Sequence, residues 1–194
     1  MTTTERPLGL IDFVSRDMDI EYIGLDIFGT LLVGDACDDS EVYPYPRPGY
    51  KEFFDACKKR NINVIISSDA EPLTVAMALR DQHFPGILDY TEPNAVKRIT
   101  NSGLFHYAIQ CPNPNGMKDF EAWAYVYKEL FGREINPKKL VVIGDTFSAD
   151  ILGAELFGAY SIFVPSYKTF CENDKKETHT HFYTPKHFSE LVEV

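Results

Sequence analysis

Short apolar runs alternate with stretches of helical period along most of this chain. "IEYIGLD" comes first, followed by "INVIIS", the weaker "LFHYAIQ", "KLVVIGD" and "AYSIFV", and each reads as a buried strand. Between them lie "RPGYKEFFDACKKR", "EPLTVAMALRDQHF", "DFEAWAYVYKELFG" and "SADILGAELFGA". In the third of these, Phe120, Trp123, Tyr127 and Leu130 fall near helical spacing, so one face is expected to pack on a sheet. Asp119 is placed to cap its start and Gly132 lies just past its end, while Asp69 reads as a cap for the preceding helix. Strands alternating with helices predict an α/β domain with a mostly parallel central sheet covered on both faces. The whole chain, 1–194, reads as one domain with its core from about 20 to 165. Residues 1–19 are expected to be peripheral. "SYKTFCENDKKETHTHFYTP" reads as a polar loop before a short final helix, "KHFSELVEV", with His179, His181 and His187 in a solvated tail.

Composition narrows the function classes. The chain is 44% hydrophobic and 25% charged, enough apolar content for a true core. Its net charge of −10 argues against broad nucleic-acid binding, which needs a basic face. Cys37, Cys57, Cys111 and Cys171 show no metal-ligand spacing and stand far apart, which fits free thiols in a reducing compartment. No apolar run approaches the length of a membrane span, and the N-terminus has no basic-then-apolar leader. A cytoplasmic protein without membrane or nucleic-acid partners is expected.

In open α/β sheets, ligands gather at the carboxyl ends of the strands where the strand order reverses. Asp26 ends the first strand, Ser68 ends the second in "IISSDA", Lys118 opens the third helix, and Asp145 ends the fourth strand with Asp150 five residues on. Ser67 is the rival to Ser68 by register, and Lys97 and Arg98 are rivals to Lys118. Attack on phosphorus needs such a set. Asp26 is able to form an acyl-phosphate. A Mg²⁺ ion held by Asp26 and Asp145 offsets the repulsion between carboxylate and phosphate. Lys118 and Ser68 then hold the transferring oxygens.

"LDIFGTL", "IISSD", a solitary Lys before a helix and "VVIGDTFSADILGA" resemble, in order, the four motifs of the haloacid dehalogenase-like superfamily. The resemblance runs from about Ile20 to Val164. It implies a Rossmann-like three-layer sandwich and a Mg²⁺-dependent phosphatase whose nucleophile is Asp26. It also implies that the backbone carbonyl of Phe28 and the Asp145 carboxylate join Asp26 on the metal, with Asp150 supporting that shell.

Phe28 departs from the pattern. Most phosphatases of the superfamily carry an Asp there, which protonates the leaving oxygen and then deprotonates water, and losing such a group costs ~10²–10⁴ in rate. The dehalogenase branch carries Tyr, since halide leaves without a proton. That branch covers its substrate with an inserted helical cap, yet only about twenty residues separate Thr30 from the first helix here, and the roughly 50 positions between Ser68 and Lys118 are mostly needed for core elements. No large cap is expected, so the site reads as open, closed if at all by oligomerisation. The acidic loop from Asp35 to Glu41 is one candidate source of a replacement acid. The expected substrate is a phosphorylated small molecule or macromolecule with a leaving group that needs little protonation. A binding protein without turnover and a dehalogenase-like hydrolase are the alternatives.

Overall fold

The structure is a computed structural model, described here for residues 19–33, 45–47, 49–81, 89–92, 95–97 and 107–164. The peripheral N-terminal segment, the acidic loop, Arg98, the histidine-bearing tail and the final helix lie outside the described residues. β1 is Tyr22–Leu25, β2 Leu32–Val33, β3 Tyr45–Pro46, β4 Asn63–Ile66, β5 Asp89–Glu92, β6 Ala95–Lys97, β7 Tyr107–Ile109, β8 Leu140–Gly144 and β9 Tyr160–Phe163. The helices are α1 Tyr50–Lys59, α2 Pro72–Asp81, α3 Phe120–Phe131 and α4 Leu152–Phe157.

All five expected strands form, as do the four helices expected between them. The main sheet runs β5-β6-β7-β4-β1-β8-β9. β7, β4, β1, β8 and β9 are parallel, while β5 and β6 add an antiparallel hairpin at one edge. β1 is buried along its length because helices cover both of its faces. The period of two then divides its side chains. Ile23 and Leu25 join Val64, Ile66, Val141 and Ile143 beneath Phe53, Phe54 and Cys57 of α1. On the opposite face Tyr22 joins Ile65, Leu140 and Val142 beneath Phe120, Trp123 and Tyr127 of α3. Trp123 lies over Gly24. The result is the two-sided, mostly parallel sheet expected from the alternation, in the Rossmann-like sandwich that the resemblance implies.

The caps of α3 form as read: the Asp119 carboxylate accepts from the Ala122 amide at 2.9 Å, and Gly132 closes the helix at φ 64°. Asp69 links two loops. Its carboxylate accepts from the Asn113 side chain at 2.8 Å, tying the loop before α2 to the loop before α3.

From β1 the chain reaches β4 on one side and, later, β8 on the other. The strand order therefore reverses between β1 and β8, whose registers pair Leu25 with Ile143. Asp26 and Asp145 each lie one residue past these strands, on the edge where such folds bind ligands.

Candidate active site

A tight loop follows β1. Leu32 donates its amide to the Ile27 carbonyl at 2.8 Å and Gly29 to the Leu32 carbonyl at 2.7 Å, so the chain doubles back within six residues. Gly29 takes φ 84°, and a Cβ there would lie 2.0 Å from an Asp145 carboxylate oxygen. Only glycine serves at this position, on both counts. The Thr30 hydroxyl lies 3.4 Å from Asp26 Oδ2 and 3.3 Å from Asp145 Oδ1, so its proton is available to either carboxylate.

After β8 the chain makes one wide helical turn, Phe147–Ile151, before α4. This turn brings Asp150 back under the end of its own strand, and its carboxylate accepts from the Thr146 amide at 3.0 Å. A Cβ on Gly144 would lie 2.1 Å from the Asp150 carboxyl carbon, so the glycine in "IGD" is what admits this side chain. The Lys118 amide docks on the same turn through the Ala149 carbonyl at 3.0 Å.

The structure brings Asp26, Lys118, Asp145 and Asp150 together. Lys118 Nζ donates to Asp26 Oδ1 at 2.6 Å and to Asp150 Oδ1 at 2.5 Å, with all three side chains buried. One oxygen from each of Asp26, Asp145 and Asp150 falls within 4.8 Å of the others. Three carboxylates against one ammonium leave a formal excess of two negative charges. An all-oxygen set with that excess suits a hard divalent cation.

Electrostatics carry the same imbalance. Burial raises the Asp26 carboxyl to about 6 from an ordinary 3.8, Lys118 pulls it down, and Asp150 pushes it up again. For Lys118 burial disfavours the charge, but Asp150 and Asp26 outweigh it and hold the ammonium above the usual lysine range.

The two serines part company. The Ser68 hydroxyl accepts from the Ala70 amide at 3.3 Å, and its carbonyl accepts from the Cys111 amide at 2.8 Å, so it shapes the turn into α2. The Ser67 hydroxyl is buried without a hydrogen-bond partner and lies toward Gly24. Phe28 is half-buried and packs against the core on the α1 side of the sheet.

Sequence reading missed Arg47. It is 6% exposed, and its Nε and Nη2 donate to the carbonyls of Thr30 and Gly29 at 2.5 and 2.6 Å. The one signal was a basic residue set between two prolines ahead of a helix, in "YPRPG".

Residues 111–191 match a family model described as HAD-hydrolase-like. Solved structures with a similar fold include the CbbY protein of Rhodobacter sphaeroides in complex with xylulose-1,5-bisphosphate, at 12% identity and a TM-score of 0.58 over 89% of this chain and 96% of that one. A haloacid dehalogenase-like family hydrolase from Xanthomonas campestris matches at 12% identity and a TM-score of 0.55, over 89% and 92% of the two chains. A 4-nitrophenylphosphatase from Thermotoga maritima matches at 18% identity and a TM-score of 0.51, over 94% and 98%. No curated protein matches the chain. The chain thus has the fold of haloacid dehalogenase-like hydrolases, and residues 111–191 match a sequence model of that kind.

Proposed function

We propose that the protein is a Mg²⁺-dependent phosphohydrolase that works through an aspartyl-phosphate at Asp26. The observation that carries this reading is the buried Asp26–Lys118–Asp150 chain with Asp145 alongside, at the reversal between β1 and β8. Asp26, Asp145 and the Phe28 carbonyl would hold the ion, with Asp150 supporting them. When bound, Mg²⁺ would supply positive charge against the phosphate oxygens.

An Asp26 oxygen attacks phosphorus, and the bond from phosphorus to the leaving oxygen breaks with its electron pair. Water then attacks phosphorus, the bond to Asp26 breaks, one proton of the water stays on the released phosphate as its hydroxyl and the other passes to solvent. Lys118 orients Asp26 and balances the charge that builds on the phosphoryl oxygens. Ser68, read as a phosphate-binding hydroxyl, accepts from the Ala70 amide and keeps its own proton to donate to a phosphoryl oxygen.

Phe28 shapes the substrate. An apolar ring stands where a proton donor would serve the leaving oxygen, so the enzyme favours leaving groups that depart as stable anions, such as acyl or aryl phosphates. Eleven residues separate Val33 from Tyr45, too few for a helical cap, which favours an open site and large or phosphorylated small substrates. The cysteine spacing supports a cytoplasmic location.

Acetyl phosphate and 4-nitrophenyl phosphate should turn over with Mg²⁺ far faster than an alkyl phosphate. The wild-type protein should also form a hydroxylamine-sensitive adduct that Asp26→Asn does not. Equal rates on alkyl and acyl esters would mean that another residue supplies the acid, and the Asp35–Glu41 loop is the first place to look. Phe28 also favours a second reading, in which the fold binds phosphate groups or a protein partner without turnover. Phosphate binding with no adduct and no product would select it.

A further inference from the structure

Arg47 follows β3, seventeen residues after Thr30, and its guanidinium is almost wholly withdrawn from solvent. A buried guanidinium is costly unless its donors are paired. Its partners include two successive backbone carbonyls, Gly29 at 2.6 Å and Thr30 at 2.5 Å, and its own amide donates to the Leu31 carbonyl at 2.8 Å. Three consecutive residues of the loop after Asp26 are therefore gripped from behind by one residue. The front of the same loop faces the carboxylates: the Gly29 backbone seats Asp145, and the Thr30 hydroxyl reaches both Asp26 and Asp145. A rigid planar fork is suited to fixing two carbonyls at once, where a flexible ammonium is not.

We propose that Arg47 is a positioning residue for the ion site, holding the Phe28–Leu31 loop so that the Thr30 hydroxyl and the Asp145 carboxylate are set for a divalent cation before it arrives. The proposal rests on the ion-binding reading above. Residues that orient metal ligands from behind typically change metal affinity by roughly 10–100-fold when lost.

The test is calorimetric titration of Mg²⁺ into full-length wild type, Arg47→Met and Arg47→Lys, well below their melting temperatures. Melting of each in EDTA is the parallel measurement. Arg47→Met should weaken Mg²⁺ binding by about tenfold or more, and Arg47→Lys should recover part of the loss. A merely structural Arg47 would lower the EDTA melting temperature and leave the dissociation constant unchanged, and that result overturns the proposal. Should Arg47→Met fail to fold, Arg47→Lys decides alone: weakened binding supports the role and wild-type binding refutes it. If the wild type itself takes up no Mg²⁺, the ion-binding reading falls and the role of Arg47 falls with it.

Discussion

Asp26 meets two opposed demands. Its place under α3, nearly out of solvent, favours the neutral acid, while the Lys118 ammonium 2.6 Å away favours the anion. Burial wins in the metal-free protein, and the carboxyl rises to about 6. Between about pH 4 and pH 6 the folded state then binds more protons than the unfolded chain, so stability falls as pH rises across that window. The contribution of Asp26 is fully present below its ordinary 3.8 and is lost as pH passes about 6. Asn cannot ionise, so in EDTA Asp26→Asn should gain on the wild type between about pH 4 and pH 7, by on the order of 2–3 kcal/mol. Melting both proteins at the two pH values reads the difference, and a gap that does not change with pH would show that Lys118 keeps Asp26 ionised throughout. At this scale the sequence was legible where a carboxylate interrupts an apolar run. Asp26 and Asp145 stand out because nothing in the core explains them. Arg47 and the Thr30 hydroxyl do not stand out, because their meaning lies in contacts to backbone atoms and to residues far along the chain.

The elements that carry the site are held by near-contact of backbones. Gly153 on α4 lies so close to the Lys118 carbonyl that a Cβ would come within 2.5 Å of it. Alanine raises helix propensity by about 1 kcal/mol over glycine, so a freely exposed Gly153→Ala would stabilise the protein. Here the added methyl meets backbone, which does not yield as a side-chain tip does, and overpacking of this kind costs about 1–3 kcal/mol. Gly153→Ala should therefore lower the melting temperature, and turnover should fall further than stability does, because the displaced residue is the one that pairs with Asp26. A higher melting temperature with intact turnover would mean that α4 moves aside without effect. The central strands were readable for a physical reason: burial on both faces demands an unbroken apolar run, as in "LVVIG". The hairpin of β5 and β6 was not, since "DYTE" and "AVK" at the sheet edge carry no such run. The paired β2 and β3, two residues each, are too short to show any period. The wide turn at Phe147–Ile151 was absorbed into a helix because its sequence continues the helical pattern of α4.

Across the whole molecule the site joins two distant parts of the chain. Asp26 and Thr30 come from the first strand and its loop, while Lys118, Asp145 and Asp150 come from a stretch that begins some ninety residues later. These parts come together only when β8 pairs with β1, so an ion bridging them binds the folded state and not the unfolded chain. Mass action then makes the ion a stabiliser: at a hundredfold excess over its dissociation constant the gain is about 2.7 kcal/mol. For a domain of this size that amounts to a rise of roughly 5–10 °C in melting temperature. Asp145→Ala should abolish the rise. It removes one of three crowded carboxylates, so without Mg²⁺ the variant should melt at or slightly above the wild-type temperature rather than below it. That pairing of outcomes separates loss of a ligand from loss of the fold. The comparison is made against NaCl at equal ionic strength, so that general screening of a chain of net charge −10 is not mistaken for site binding. If Asp145→Ala keeps the full Mg²⁺-dependent rise, Asp145 is not in the ion site. If the wild type shows none, the carboxylate cluster is balanced by Lys118 and protonation alone, and binding without an ion becomes the function to pursue.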